Sequence, residues 1–122
     1  MGNVRIGGVA GNNPLYALST IGVTATGTPS GFTYSADGTE HVVYRDVYSQ
    51  IHDLFYSPSS GWKDNGYLTF PGAAGDPAGY TYSVDGTEHV VYRGVDGHIH
   101  ELWYSPWSGW HHVDLTAATG QV

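Results

Sequence analysis

Histidine and arginine stand four residues apart twice in this chain, as His41 and Arg45 and again as His89 and Arg93. Each pair is followed by a histidine beside an acid, His52-Asp53 and His100-Glu101. Aromatic side chains come next, Tyr56 and Trp62 in the first set and Tyr104 and Trp110 in the second. Trp107 belongs to the second set alone, in Pro106-Trp-Ser-Gly109, where the first has Ser59. Flat aromatic faces suit the C–H side of a sugar ring, and a few directional donors suit its hydroxyls. Those side chains are therefore the candidate carbohydrate-binding set.

Each also has a structural reading. Burying Trp62 or Trp110 between sheets contributes on the order of 2–3 kcal/mol, so both suit a core as well as a pocket. Arg45 and Arg93 equally suit ion pairs that set the register between neighbouring units. His52 and His100 suit hydrogen bonds inside a core. Trp107, in a Pro-Gly loop and without a counterpart, points more to an exposed stacking surface.

Other chemistries fit less well. His98 and His100 fall on one strand face and His111-His112 are adjacent, which suits zinc or nickel. The first copy has Gln50, His52, Lys63 and Asp64 at those places, so these read as incidental histidines, with no metal or other cofactor expected. Asp37, Asp85, Glu40 and Glu88 raise a sialidase-like glycosidase as an alternative. However, Ser35-Ala-Asp-Gly38 lacks the spacing of the sialidase Asp-box, and Asp37 is better explained by its turn. A duplicated binding cleft is ordinary, whereas a duplicated asymmetric catalytic centre is not. No enzyme is expected.

These residues are placed by an internal repeat. Residues 31–62 align without gaps on 79–110, an offset of 48, and 23 of the 32 pairs are identical. Asp37-Gly38 and Asp85-Gly86 sit between strand-like runs as hairpin turns, the type that takes two residues with positive φ. Asp96-Gly97 makes a second hairpin in the later copy, which Tyr48-Ser-Gln50 breaks in the earlier one. Four strands per unit follow: 32–35, 40–45, 51–57 and 62–69, then 80–83, 88–93, 98–105 and 110–116. In Glu88–Arg93 both faces are mixed, as in a sheet sandwiched between like sheets. Four-stranded sheets repeating every 40–50 residues are the mark of a β-propeller. The expected fold is all-β: residues 28–72 and 73–122 are complete blades, and 1–27 are a degenerate partial blade. Two blades and a fragment are too few to close a propeller. Identical chains are therefore expected to complete it head to tail, as a dimer or trimer.

Composition agrees. The 122 residues include 18 Gly, 10 Tyr, 4 Trp and 3 Phe, but no Cys. Disulfides, thiolate metal sites and cysteine nucleophiles are excluded. Net charge is −7, with Arg5, Arg45, Lys63 and Arg93 the whole basic complement, which argues against nucleic acid as a partner. No apolar run is long enough to insert in a membrane, and the first residues lack the apolar region of a signal peptide.

The motif Tyr-Arg-x-Val-x-x-x-Ile-His-(Asp/Glu)-Leu-x-Tyr-Ser-Pro-x-Ser-Gly-Trp resembles blades of bacterial propeller lectins. The nearest likeness is the Photorhabdus-type fucose-binding lectins, with tectonin-like repeats as looser relatives. Residues 31–119 carry it, above all 93–103. The resemblance implies sugar pockets between neighbouring blades. The departures are Tyr48-Ser-Gln50, Ser59 in place of Trp107, and an N-terminal unit without Gly-Trp. A multivalent lectin for neutral sugars such as fucose or galactose is the expected function. The structural alternative is a self-assembling propeller fragment, natural or designed, without active sugar sites.

Overall fold

The computed structural model describes residues 24–68 and 72–121. The partial blade expected at 1–27 lies almost wholly outside them. The described chain forms two four-stranded antiparallel sheets in simple meander order. The first holds β1 (Ala25–Tyr34), β2 (Thr39–Asp46), β3 (Ile51–Ser57) and β4 (Gly61–Tyr67). The second holds β5 (Ala78–Tyr82), β6 (Thr87–Arg93), β7 (Ile99–Ser105) and β8 (Gly109–Asp114). One helical turn, α1 (Leu115–Ala118), follows β8. Among the described residues no helix is long and apolar enough to cross a membrane.

The turns differ from expectation in an instructive way. Tyr34 pairs with Thr39 and Tyr82 with Thr87, so each first hairpin has a four-residue loop. Gly38 and Gly86 have φ near +73° and +72°, while Asp37 and Asp85 do not share that conformation. The aspartate instead accepts hydrogen bonds from the threonine that restarts the strand, the local capping at which short acidic side chains excel. The turn at 47–50 is not broken. Ser49 adopts φ +67° where the second copy has Gly97 at +83°, and Asp46 takes over the role of Asp96 (below). The last strand also stops earlier than expected. Asp114 caps α1 by accepting from the Ala117 amide at 3.0 Å, and Thr116 lies in the helix.

The two sheets meet face to face. Val43, Ile51, Ala73, Val90, Tyr92 and Leu102 form one core, with Phe32, Leu68 and Trp110 packed against it. The Phe32 ring lies over Gly79, where a Cβ would come within 2.2 Å of it. The Gly79 amide donates to Ser30 Oγ at 3.1 Å, and the Tyr34 hydroxyl donates to the Gly86 carbonyl of the other sheet. The linker between the sheets is tied down by an isolated bridge of Ala73 with Gly94 and by an Arg45–Asp76 ion pair at 3.2 Å.

Equivalent residues of the repeat have unequal surroundings. Tyr34, against the second sheet, is 1% exposed, and its counterpart Tyr82 is 51% exposed. Glu88, against the first sheet, is 2% exposed, whereas Glu40 is exposed. Trp110 is half-buried, and Trp62 is 54% exposed. The front of the second sheet and the back of the first thus carry the same side chains that bury one another at the junction.

Candidate functional site

A linear network of polar side chains crosses the first sheet to the junction. The Thr39 hydroxyl donates to Asp37 Oδ1 at 2.5 Å and accepts from His41 Nε2 at 2.7 Å. His41 Nδ1 donates to both Asp53 oxygens at 2.9 and 3.0 Å, and Asn65 Nδ2 donates to Asp53 Oδ2 at 2.8 Å. The hydroxyl has one proton and gives it to Asp37, so both His41 nitrogens are donors and the ring is an imidazolium. Phe32 and Phe55 stack on its two sides, with centroids 5.1 and 6.0 Å away, a favourable placement for a cation. Burial disfavours the charged ring. The Asp53 hydrogen bond and the charges of Asp53, Glu88 and Asp37 outweigh it and hold the His41 pKa above its ordinary value.

Glu88 enters from the second sheet, with Oε2 3.5 Å from His41 Nε2. Its Oε1 is buried with no hydrogen-bond partner. Burial pushes its carboxyl up to about 8; His41 opposes the shift, and Asp53 and Asp37 add to it. Glu88 therefore keeps its proton at neutral pH, while His41 carries the charge.

A cleft of about 180 Å³ opens at this junction. Asp37, His41, Phe55 and Asn65 line it from the first sheet, and Glu88, Tyr104 and Trp110 from the second. Tyr104 and Trp110 lie 5.4 Å apart, tilted by 50°. Asn65 reaches this position through a bulge in β4: Leu54 pairs with Asp64 but His52 with Tyr67. The second sheet has no such interruption. The wall is thus half aromatic and half hydrogen-bonding, which is what holding a polyol requires.

Of the expected residues, His41, Tyr104 and Trp110 line the cleft. His89 repeats the network with Thr87 and Glu101, at 2.7 and 2.6 Å, on the face of the second sheet that carries Tyr80 and Tyr82. Tyr56 lines a more open hollow of about 270 Å³ on the first sheet, beside Tyr34, Thr39 and Glu40. Trp62 stands beside Tyr56 with centroids 5.5 Å apart. Trp107 is 84% exposed, away from the cleft. Arg45 pairs with Asp76, and Arg93 donates to the Ala74 carbonyl at 3.4 Å, so both arginines serve the linker. His52 Nε2 donates to Asp46 at 2.7 Å and His100 Nε2 to Asp96 at 3.0 Å, so both bond side-chain carboxylates. The carboxylate has moved two places between copies, and Gly94, where a Cβ would meet Asp96 and His100 below 3 Å, clears space for the new one.

Asp37, Phe55, Asn65 and Glu88 complete the cleft and were not among the expected residues. Asp37 and Glu88 were visible in the sequence as repeated carboxylates. Asn65 depends on a one-residue bulge that the 48-residue register does not reach. No protein-family model and no curated protein matches the chain, so the chemistry of the cleft itself is what bears on function.

Proposed function

We propose that this protein is a lectin: a non-enzymatic, carbohydrate-binding β-propeller built from several identical chains. The observation that carries the reading is the cleft between the sheets, whose lining combines Phe55, Tyr104 and Trp110 with Asp37, His41, Asn65 and Glu88. An aromatic face takes the apolar side of a pyranose, and the two carboxyl groups and the amide take its hydroxyls. The negative chain favours neutral sugars such as fucose or galactose over acidic glycans. The resemblance to Photorhabdus-type lectins points the same way.

Assembly is the second half of the proposal. Among the described residues, the faces turned away from the junction carry Tyr82, Tyr80 and His89 on one side and Glu40 and Trp62 on the other. Copies stacked head to tail would repeat the Tyr34–Gly86 and His41–Glu88 contacts, and a heterologous contact that closes forms a ring. Each closure would add a cleft, and several weak clefts on one rigid ring raise avidity a hundredfold or more on a glycan-coated surface.

A hydrolytic reading draws on Glu88, a protonated carboxyl near a second one. Asp53 lies within 4.8 Å of Glu88, but it is fully buried and engaged by His41 and Asn65, so it is not free to attack a sugar. A glycan array tests the lectin. Binding to neutral-sugar termini, weakened on the order of tenfold by Trp110→Ala, is the expected result. No binding to any neutral sugar contradicts it. Binding unchanged in Trp110→Ala moves the site elsewhere. Trp107→Ala is expected to leave both binding and assembly intact.

A further inference from the structure

A second polar cluster sits at the opposite end of β7 from Tyr104. His100 and Asp114 are directly paired across β7 and β8, and His112, two residues before Asp114, shares its face. His100 Nδ1 and His112 Nε2 are 2.8 Å apart. Ligand atoms of Asp96, His100 and Asp114 all lie within 4.8 Å of one another, a group that does not include His112. We infer that this face binds a divalent transition-metal ion of the zinc or nickel class through His100 Nδ1, His112 Nε2 and the Asp114 carboxylate.

Tautomer and orientation support it. His100 is buried, and its Nε2–H donates to both Asp96 oxygens at 3.0 Å. In the neutral ring that leaves the lone pair on Nδ1, aimed at His112. A carboxylate holding the outer nitrogen of a histidine is the usual support of a metal ligand. His98 Nδ1 donates to Asp114 Oδ2 at 2.7 Å and the Ala117 amide to Oδ1 at 3.0 Å, which fixes the third ligand and leaves a lone pair on each oxygen. The ion takes the place of the one proton between the two rings, and that proton moves to Nδ1 of exposed His112. With Zn–N bonds of about 2.0–2.1 Å, tetrahedral nitrogens sit about 3.3 Å apart, so the rings separate by about half an ångström, and exposed His112 turns its Nε2 toward the Asp114 carboxylate as the ion binds. Two nitrogens and a carboxylate suit zinc or nickel, not calcium or magnesium.

The first sheet has Gln50, His52 and Asp64 at the places of His98, His100 and His112, and its β4 bulge disturbs the register where Asp114 stands. His41, the other histidine gathered with two carboxyl groups, donates from both nitrogens and has no lone pair for an ion. The site belongs to the second sheet alone, and it would staple β8 to β7 at the start of α1.

The test is zinc titration of tag-free protein by calorimetry, with a Co²⁺ visible spectrum as a report on coordination. One zinc per chain is expected, with a melting-temperature rise of roughly 10 °C at a hundredfold excess over Kd. His112→Ala, at an exposed position, is expected to weaken zinc by on the order of 100-fold, and Asp96→Asn by about 10-fold or more. His111→Ala, its sequence neighbour bonded to Ser108, is expected to leave affinity unchanged. Absence of zinc binding, affinity indifferent to His112→Ala, or an equal loss in His111→Ala would overturn the site.

Discussion

Replacing Glu88 by Gln keeps the shape of the buried side chain and removes the one carboxyl that the junction strains to hold. In the folded protein this group titrates near 8, against an ordinary value of 4.5. Between those two pH values the folded state holds a proton that the unfolded state has released. Stability therefore falls as pH rises from about 4.5 to about 8 and levels off above. At about 1.4 kcal/mol per pH unit the full shift is worth about 5 kcal/mol. Solvent in the adjoining cleft offsets part of this, so a loss of about 2–5 kcal/mol is expected. His41 acts in the same direction: its contribution is complete below the ordinary histidine value of 6.5 and is lost as pH climbs through its raised folded value. Asp46, held low by amide and His52 hydrogen bonds that outweigh its burial, adds an acid limb below about 3.8. Urea denaturation followed by tryptophan fluorescence at pH 5, 7 and 9, at one protein concentration, reads all of this. Glu88→Gln is expected to match the wild type within about 1 kcal/mol at pH 5, and to exceed it by about 2–5 kcal/mol at pH 9. A wild type that gains stability from pH 5 to 9, or a variant with the same pH slope, would refute the placement of Glu88 as a buried, protonated carboxyl.

Three further outcomes follow from the fold. Ser49→Gly relieves a left-handed residue at φ +67° and is expected to raise stability by about 1 kcal/mol, measured by chemical denaturation. Gly79→Ala drives a methyl group into the Phe32 ring at 2.2 Å, and a loss of about 1–3 kcal/mol is expected in the same assay. Tyr82→Ala removes a ring that is 51% exposed in the single chain. It is expected to leave circular dichroism unchanged while lowering the assembled fraction in sedimentation velocity.

The strands were legible because turn residues bracket them. Asp37-Gly38 and Asp85-Gly86 fall between β-branched and aromatic runs, and a near-identical copy 48 residues on tests each assignment twice. Less legible was anything set by one extra residue or by a swap between distant positions. The β4 bulge, which carries Asn65 into the cleft, leaves only Asn-Gly as its trace. The shift of a carboxylate from Asp46 to Asp96 looked like a broken turn, because the compensation by Ser49 and Gly94 is three-dimensional. The arginines recur with the histidines in the sequence, yet β2 and β6 turn them toward the linker. Glu88 and Glu40 are the same residue in the repeat. Only the presence of a neighbouring sheet buries one and leaves the other in water, and no local pattern records a neighbour.

Copies of this chain are expected to meet through the faces that carry Tyr82 and Trp62 and to hold sugar between their sheets. Native mass spectrometry at low micromolar concentration, with and without a neutral methyl glycoside such as methyl fucoside, tests both halves at once. A single species of two or more chain masses, taking up at least one sugar per chain in the liganded sample, is expected. A folded monomer that takes up no sugar would contradict it.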